Sequence, residues 1–154
     1  MRKAILSKYN AYLRRARTAT LGTKDPIHGV HLVPIVFASS ANYIYFVIDK
    51  KRKKDSKQLR RLSNIKKYGR ATLLIQNYFE EWQQLSYLLL YCDAKILDTG
   101  LASNEKKAAA KLLKKKYAQY RGSHYFPHCL NEAIFVRLMP DRLVYWQNSR
   151  HSLA

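Results

Sequence analysis

The run "LSYLLLYCDAKILD" (residues 85–98) constrains the fold more than any other part of the chain. It reads as one strand, long enough to bend across a barrel. Other strand signals surround it. "RTATLGT" (17–23) alternates, and "KDPIHG" (24–29) supplies turn chemistry through Asp25-Pro26 and Gly29. "VHLVPIVFA" (30–38) is apolar on both faces, which predicts a strand buried on both sides. Pro34 sits in its middle and cannot donate a ladder hydrogen bond, so it marks an edge, a bulge or a backbone facing something other than a strand. "SSAN" (39–42) is a hairpin turn, and "YIYFVID" (43–49) and "ATLLIQN" (71–77) are further strands, with "YFEEW" (78–82) linking the second to the long run. "AIFVRLMPDRLVYWQN" (133–148) reads as two strands around a turn at Pro140-Asp141. No β–α–β rhythm runs through this order, which argues against a doubly wound parallel sheet and favours an antiparallel barrel with helices packed outside.

Three helices complete the pattern. Residues 2–17 place Ile5, Tyr9, Tyr12, Leu13 and Ala16 on one face. Asp55 and Gln58 have the spacing of a capping box, followed by a short helix with Leu59, Leu62 and Ile65 inward and an end near Gly69. Ser103 caps a helix expected to run through Tyr120, with Ala109, Leu112, Leu113, Tyr117 and Tyr120 inward. "GSHYFPHC" (122–129) is a loop. The length fits a single domain over residues 1–154.

Charge narrows the function. Lys and Arg outnumber Asp and Glu 29 to 10, a formal net charge of +19 that attracts phosphates of any kind. Most of these cations fall in residues 1–17, 50–70 and 103–121, on or beside helices, where a solvated exterior also accounts for them. Cys92 and Cys129 suggest no disulfide framework. Neither a secretory leader nor a membrane-length apolar run is visible, so a cytoplasmic protein is expected.

Hydrolase and nucleotide-loop signatures are absent. His124, His128 and Cys129 lie close together, but Pro127 breaks any helix that would align them, and no metal is expected. Adjacent Glu80 and Glu81 would point to opposite sides of an extended chain, a poor carboxylate pair. The chemistry concentrates instead in "DKKRKKDSK" (49–57), five consecutive cations between a strand and a helix. Extended, Lys51 and Lys53 project to one side and Arg52 to the other; a helix start at Asp55 would add backbone N–H groups. Such a cluster suits a terminal phosphate, and equally describes a solvated loop.

The first helix, "RTATLGT", "VHLVPIVFA", "YFVIDKKRKK", "LRRLSNI", "ATLLIQNYFEEW" and "KKKYAQYR", in this order, resemble the pyridoxamine 5'-phosphate oxidase-like split-barrel superfamily. Within it the likeness is to the branch dependent on the deazaflavin coenzyme F-420, over residues 12 to 146. The resemblance implies a mainly β fold with flanking helices: a homodimeric, six-stranded antiparallel split β-barrel with two cofactors in interface clefts. Members bind FMN or the deazaflavin, and a few bind haem. The phosphate element maps to Lys51, Arg52 and Lys53, with Lys57 as helper. The strand along the ring maps to Leu32, Val33, Pro34 and Ile35. Asn64 matches a recurrent position. From the other subunit, Tyr78, Trp82 and Tyr87 would form an aromatic wall, or simply pack at the interface. Departures are Ser86-Tyr87-Leu88-Leu89 where the branch often has Trp-Trp-Val-Arg, Arg52 where it has Pro, and Cys92 where it has Gly.

The expected function is therefore two-electron hydride transfer to or from a small molecule by an FMN- or F-420-dependent oxidoreductase. No catalytic residue is named, though Tyr87 could donate a proton near the ring. Two alternatives stand beside it: a flavin or haem carrier or sensor without turnover, and a basic nucleic-acid-binding protein. The second would need aromatics interleaved with cations on an open face, whereas most tyrosines here fall on inner faces or strands.

Overall fold

A computed structural model describes residues 5–51, 59–122 and 124–149. Seven antiparallel strands form one curled sheet: β1 (Ala19–Asp25), β2 (Gly29–Ile35), β3 (Ala38–Ser39), β4 (Ile44–Val47), β5 (Arg70–Asn77), β6 (Ser86–Ile96) and β7 (Phe135–Gln147), in the order β2-β1-β5-β6-β7-β4-β3. Helices α1 (Asn10–Arg15), α2 (Arg60–Tyr68) and α3 (Asn104–Lys116) flank it. The sheet's two edges, β2 and β3, are successive parts of one extended stretch, interrupted only at Val36 and Phe37. That interruption splits one expected strand into two, while the two strands expected in 133–148 are one, β7; the resemblance implied six in all.

At the break, the Tyr117 side chain replaces a neighbouring strand. Its hydroxyl accepts from the Phe37 N–H (3.1 Å) and lies 2.9 Å from both the Phe37 and Arg17 carbonyls, to either of which its single proton can be donated. Backbone groups that a ladder would have satisfied are thus satisfied by α3.

Burial corrects the reading of the second strand. β2 pairs with β1 alone, and Val30 and Leu32 are 60% and 65% exposed. Its apolar outer face is a sheet surface, and Pro34 sits at an edge, where its missing N–H costs no ladder bond. The strand buried on both sides is β4. Ile44 and Phe46 enter the barrel core with Leu21, Leu73, Leu88 and Leu90, whereas Tyr45 and Val47 enter a second core with Ala109, Ala110 and Leu113 of α3. Alternation thus feeds two cores from four residues.

The expected turn at Pro140-Asp141 is a β-bulge within a single strand. Tyr91 pairs with Arg142 and Cys92 with Pro140, leaving Asp141 as the extra residue. Arg70 clasps the bulge, its guanidinium 2.5 Å from Asp93 and 2.7 Å from Asp141. These two carboxylates push the Arg70 pKa up.

The helices are shorter than expected. α1 is preceded by a 3-10 turn at Ser7–Tyr9, and α3 gives way to another at Ala118–Tyr120 because the chain turns extended at Tyr117. Ser103 caps α3 as expected, its Oγ accepting from the Lys106 N–H at 3.2 Å. α2 is described from Arg60, with Leu59 before it; Asp55 and Gln58 of the expected capping box lie outside the described residues. It ends at Gly69 in the left-handed conformation, φ 63°.

Candidate functional site

β4 ends against the second core, and the chain leaving it carries Asp49 into the protein. Its carboxylate side chain is 7% exposed and accepts hydrogen bonds from the Lys51 N–H (3.1 Å), the Lys51 ammonium (2.8 Å) and the Tyr120 hydroxyl (2.6 Å). Burial and Asp49 together push the Tyr120 phenol far above its usual range. The Lys50 N–H donates to the Tyr125 carbonyl at 2.8 Å, so the first part of the cationic stretch is fastened on two sides.

Beside it opens a cleft of about 500 Å³, in the usual range for a small-molecule site. Val33, Pro34, Ile35 and Val36 form one wall; Asp49, Lys51 and Arg61 are on its polar side. Arg61 comes from the first turn of α2 and is half-buried. Its Nε is buried with no hydrogen-bond partner among the described residues, and burial pulls its pKa down against the attraction of Asp49. A buried donor without an acceptor is costly. A guanidinium lining a cleft that also holds an ammonium fits an anionic ligand group. His31, whose Nδ1 is likewise buried and unpartnered among the described residues, is held below its usual pKa by burial and then by Arg61.

The residues expected at a site are thus divided. Val33, Pro34, Ile35 and Lys51 meet in the cleft. Leu32 points to the exposed outer face of β2 and does not line it. Asn64 is buried, and its amide donates to the Thr23 hydroxyl at 3.1 Å, tying α2 to β1. Arg52, Lys53 and Lys57 lie outside the described residues. Tyr78 and Tyr87 line a different groove of about 480 Å³ with Leu74, Leu89 and Trp146 on the outer face of β5, β6 and β7, and share no residue with the cleft. The Tyr87 and Trp146 rings stack at 5.5 Å. Trp82 is 64% exposed on the linking turn, where its carbonyl accepts from the Asn148 amide.

Sequence reasoning missed Asp49, Arg61 and Tyr120 as site residues. Arg61 had a signal: it stands four before Ile65, on the buried side of α2. The Asp49–Tyr120 pair joins residues 71 apart and had none.

Among solved structures, the chain is similar to a Listeria innocua protein provisionally assigned as a pyridoxamine 5'-phosphate oxidase (13% identity, 92% of this chain and 97% of that one, TM-score 0.60). It is also similar to an F-420 reductase (17% identity, 88% and 95%, TM-score 0.59). The fold is that of the pyridoxamine 5'-phosphate oxidase-like split barrels. The haem storage protein HutZ of Vibrio cholerae is also similar, at 10% identity over 92% of this chain and 94% of that one, with a TM-score of 0.63. No protein-family model and no curated protein sequence matches the chain. Among the described residues no helix is long and apolar enough to cross a membrane, and no group of His, Cys, Asp and Glu could hold a metal ion.

Proposed function

We propose that this split barrel is a homodimeric oxidoreductase that binds FMN or coenzyme F-420 in the cleft between β2 and α2. The observation that carries the reading is the convergence of Lys51, Arg61 and the Val33–Val36 wall on one cavity. Lys51 and Arg61 would take the phosphate, one as an ammonium shared with Asp49 and the other as a half-buried fork. The apolar wall would lie along the ring and exclude water. When bound, the cofactor supplies two-electron hydride chemistry. Asp49 is engaged by Lys51 and Tyr120, so its role is to position the phosphate site and not to move protons.

The exposed outer face of β2 and the aromatic groove on β5, β6 and β7 support pairing with a second copy, whose Tyr78 and Tyr87 would complete the ring site. A haem reading fits less well. Iron needs an axial His, Cys, Met or Tyr, and none of these lines the cleft among the described residues. The test is fluorescence titration of the purified protein with FMN and, separately, with coenzyme F-420. Saturable binding of one, weakened at least tenfold by Arg61→Gln, is expected; binding of neither overturns the proposal.

A further inference from the structure

A second concave surface carries charge that the cleft does not use. Arg14 in the last turn of α1, Arg17 just beyond it, and Lys115 and Lys116 at the end of α3 surround a cavity of about 330 Å³, with Leu112 and Ser39 in its lining. Two of these cations are fixed in place. The Lys116 ammonium donates to the Leu13 carbonyl at 2.9 Å and sits 3.8 Å from the centre of the Phe37 ring. The Arg17 guanidinium donates to the Lys116 carbonyl at 3.0 Å and lies 4.6 Å from the centre of the Tyr117 ring. Arg14 and Lys115 are exposed at the rim.

What opposes this charge is small. No carboxylate lines the cavity, and none of the four cations forms an ion pair among the described residues. The ends of α1 and α3 present carbonyls here, but a helix C-terminus amounts to only about half a negative charge. Four full charges therefore face roughly one opposing unit. Burial, with Arg17 beside it, pulls the Lys116 pKa down to about 8. An ammonium held so near a second cation gains from an anion that neutralises both.

We propose that this cavity is a second anion site, distinct from the cofactor cleft, for a small phosphorylated ligand carrying at least two negative charges. Two guanidinium forks and two ammonium groups match phosphate oxygens better than they match a single carboxylate. The volume suits a diphosphate or a sugar phosphate and is too small for a dinucleotide. The site also adjoins the cleft through the chain. Val36 lines the cleft and Ala38 lines this cavity, two residues apart in the stretch that Tyr117 holds.

The test is calorimetric titration of the full chain with inorganic pyrophosphate at pH 7 and physiological salt, with FMN saturating the cleft in a parallel series. Saturable 1:1 binding in both series is expected. Arg14→Gln with Lys115→Gln removes two exposed side chains and should weaken it at least tenfold, leaving FMN affinity unchanged. Lys66→Gln with Lys67→Gln removes the same charge from the exposed face of α2 and should leave pyrophosphate binding as it was. Equal loss in both double variants, competition between FMN and pyrophosphate, or no binding would each overturn the proposal.

Discussion

Removing one oxygen atom, by Tyr120→Phe, tests the hub that fixes the cleft. The Tyr120 ring is buried, packing edge-on against Tyr117 and Phe126 with centroids 5.8 and 5.1 Å away, and Phe keeps both contacts. What disappears is the 2.6 Å bond to Asp49. A hydrogen bond to a charged group contributes about 1.5–3 kcal/mol, and the buried carboxylate would lose it while keeping its bonds from Lys51. Taking ~2 kcal/mol, a domain of this size should lose roughly 4–8 °C in Tm. In urea the midpoint should fall with the slope unchanged. The pH dependence has a fixed sign. Folding raises the Tyr120 pKa above its ordinary value of 10.0, so the bond's contribution is fully present below pH 10 and is lost as pH rises further. The gap between wild type and variant should therefore be flat from pH 6 to 9 and narrow above it. Asp49→Asn supplies the second edge of a double-mutant cycle, with a coupling of about 1–2 kcal/mol expected. A Tm loss under about 1 °C, or strict additivity of the two changes, would show that the hydroxyl does not hold Asp49.

Three further outcomes follow from single contacts. Gly69→Ala should cost about 1 kcal/mol in chemical denaturation through backbone strain alone, since φ is 63° and an added Cβ meets nothing within 4 Å. Leu32→Glu, on the exposed face of β2, should leave the circular dichroism spectrum unchanged and convert the proposed dimer to monomer in sedimentation velocity. Folding lowers the Lys116 pKa from 10.5 to about 8, so the cost of burying its charge is fully present below pH 8 and is relieved toward 10.5. The stability of wild type relative to Lys116→Met should accordingly rise by up to ~3 kcal/mol between pH 7 and 10.5 in urea titrations.

Local signals carried the strands with one packed face. β6 is the clearest: Leu88, Leu90 and Cys92 alternate into the core, and the apolar period survives the bulge beside Tyr91. The same signals failed where burial is decided by a neighbour remote in sequence. "VHLVPIV" and "YIYFV" are equally apolar, yet one is a sheet edge and the other lies between two cores, because α3 covers β4 and, among the described residues, no element covers the outer face of β2. Pro140-Asp141 has turn composition, but Arg70, 71 residues away, holds the pair as a bulge. Of the site, the Val33–Ile35 wall and Lys51 were legible, the wall through a family likeness and the lysine through its place after a strand. Asp49 was legible as the acid bordering the cations, but not as their anchor, because Tyr120 reaches it only in the folded chain.

The stretch from Gly29 to Ser39 explains why fold and site cannot be separated here. It supplies both edges of the sheet, one wall of the cleft through Val33–Val36, and part of the basic cavity through Ala38 and Ser39. At its break, Val36–Phe37, the Phe37 backbone is held by the Tyr117 hydroxyl, whose ring also lies against Arg17. Three residues on, Tyr120 holds Asp49 and through it Lys51. The end of α3 therefore fixes the apolar wall with one tyrosine and the cationic side with the other. Arg17, from the basic cavity, donates to the Lys116 carbonyl at that same end, so the chain that carries both tyrosines is tied to α1 as well.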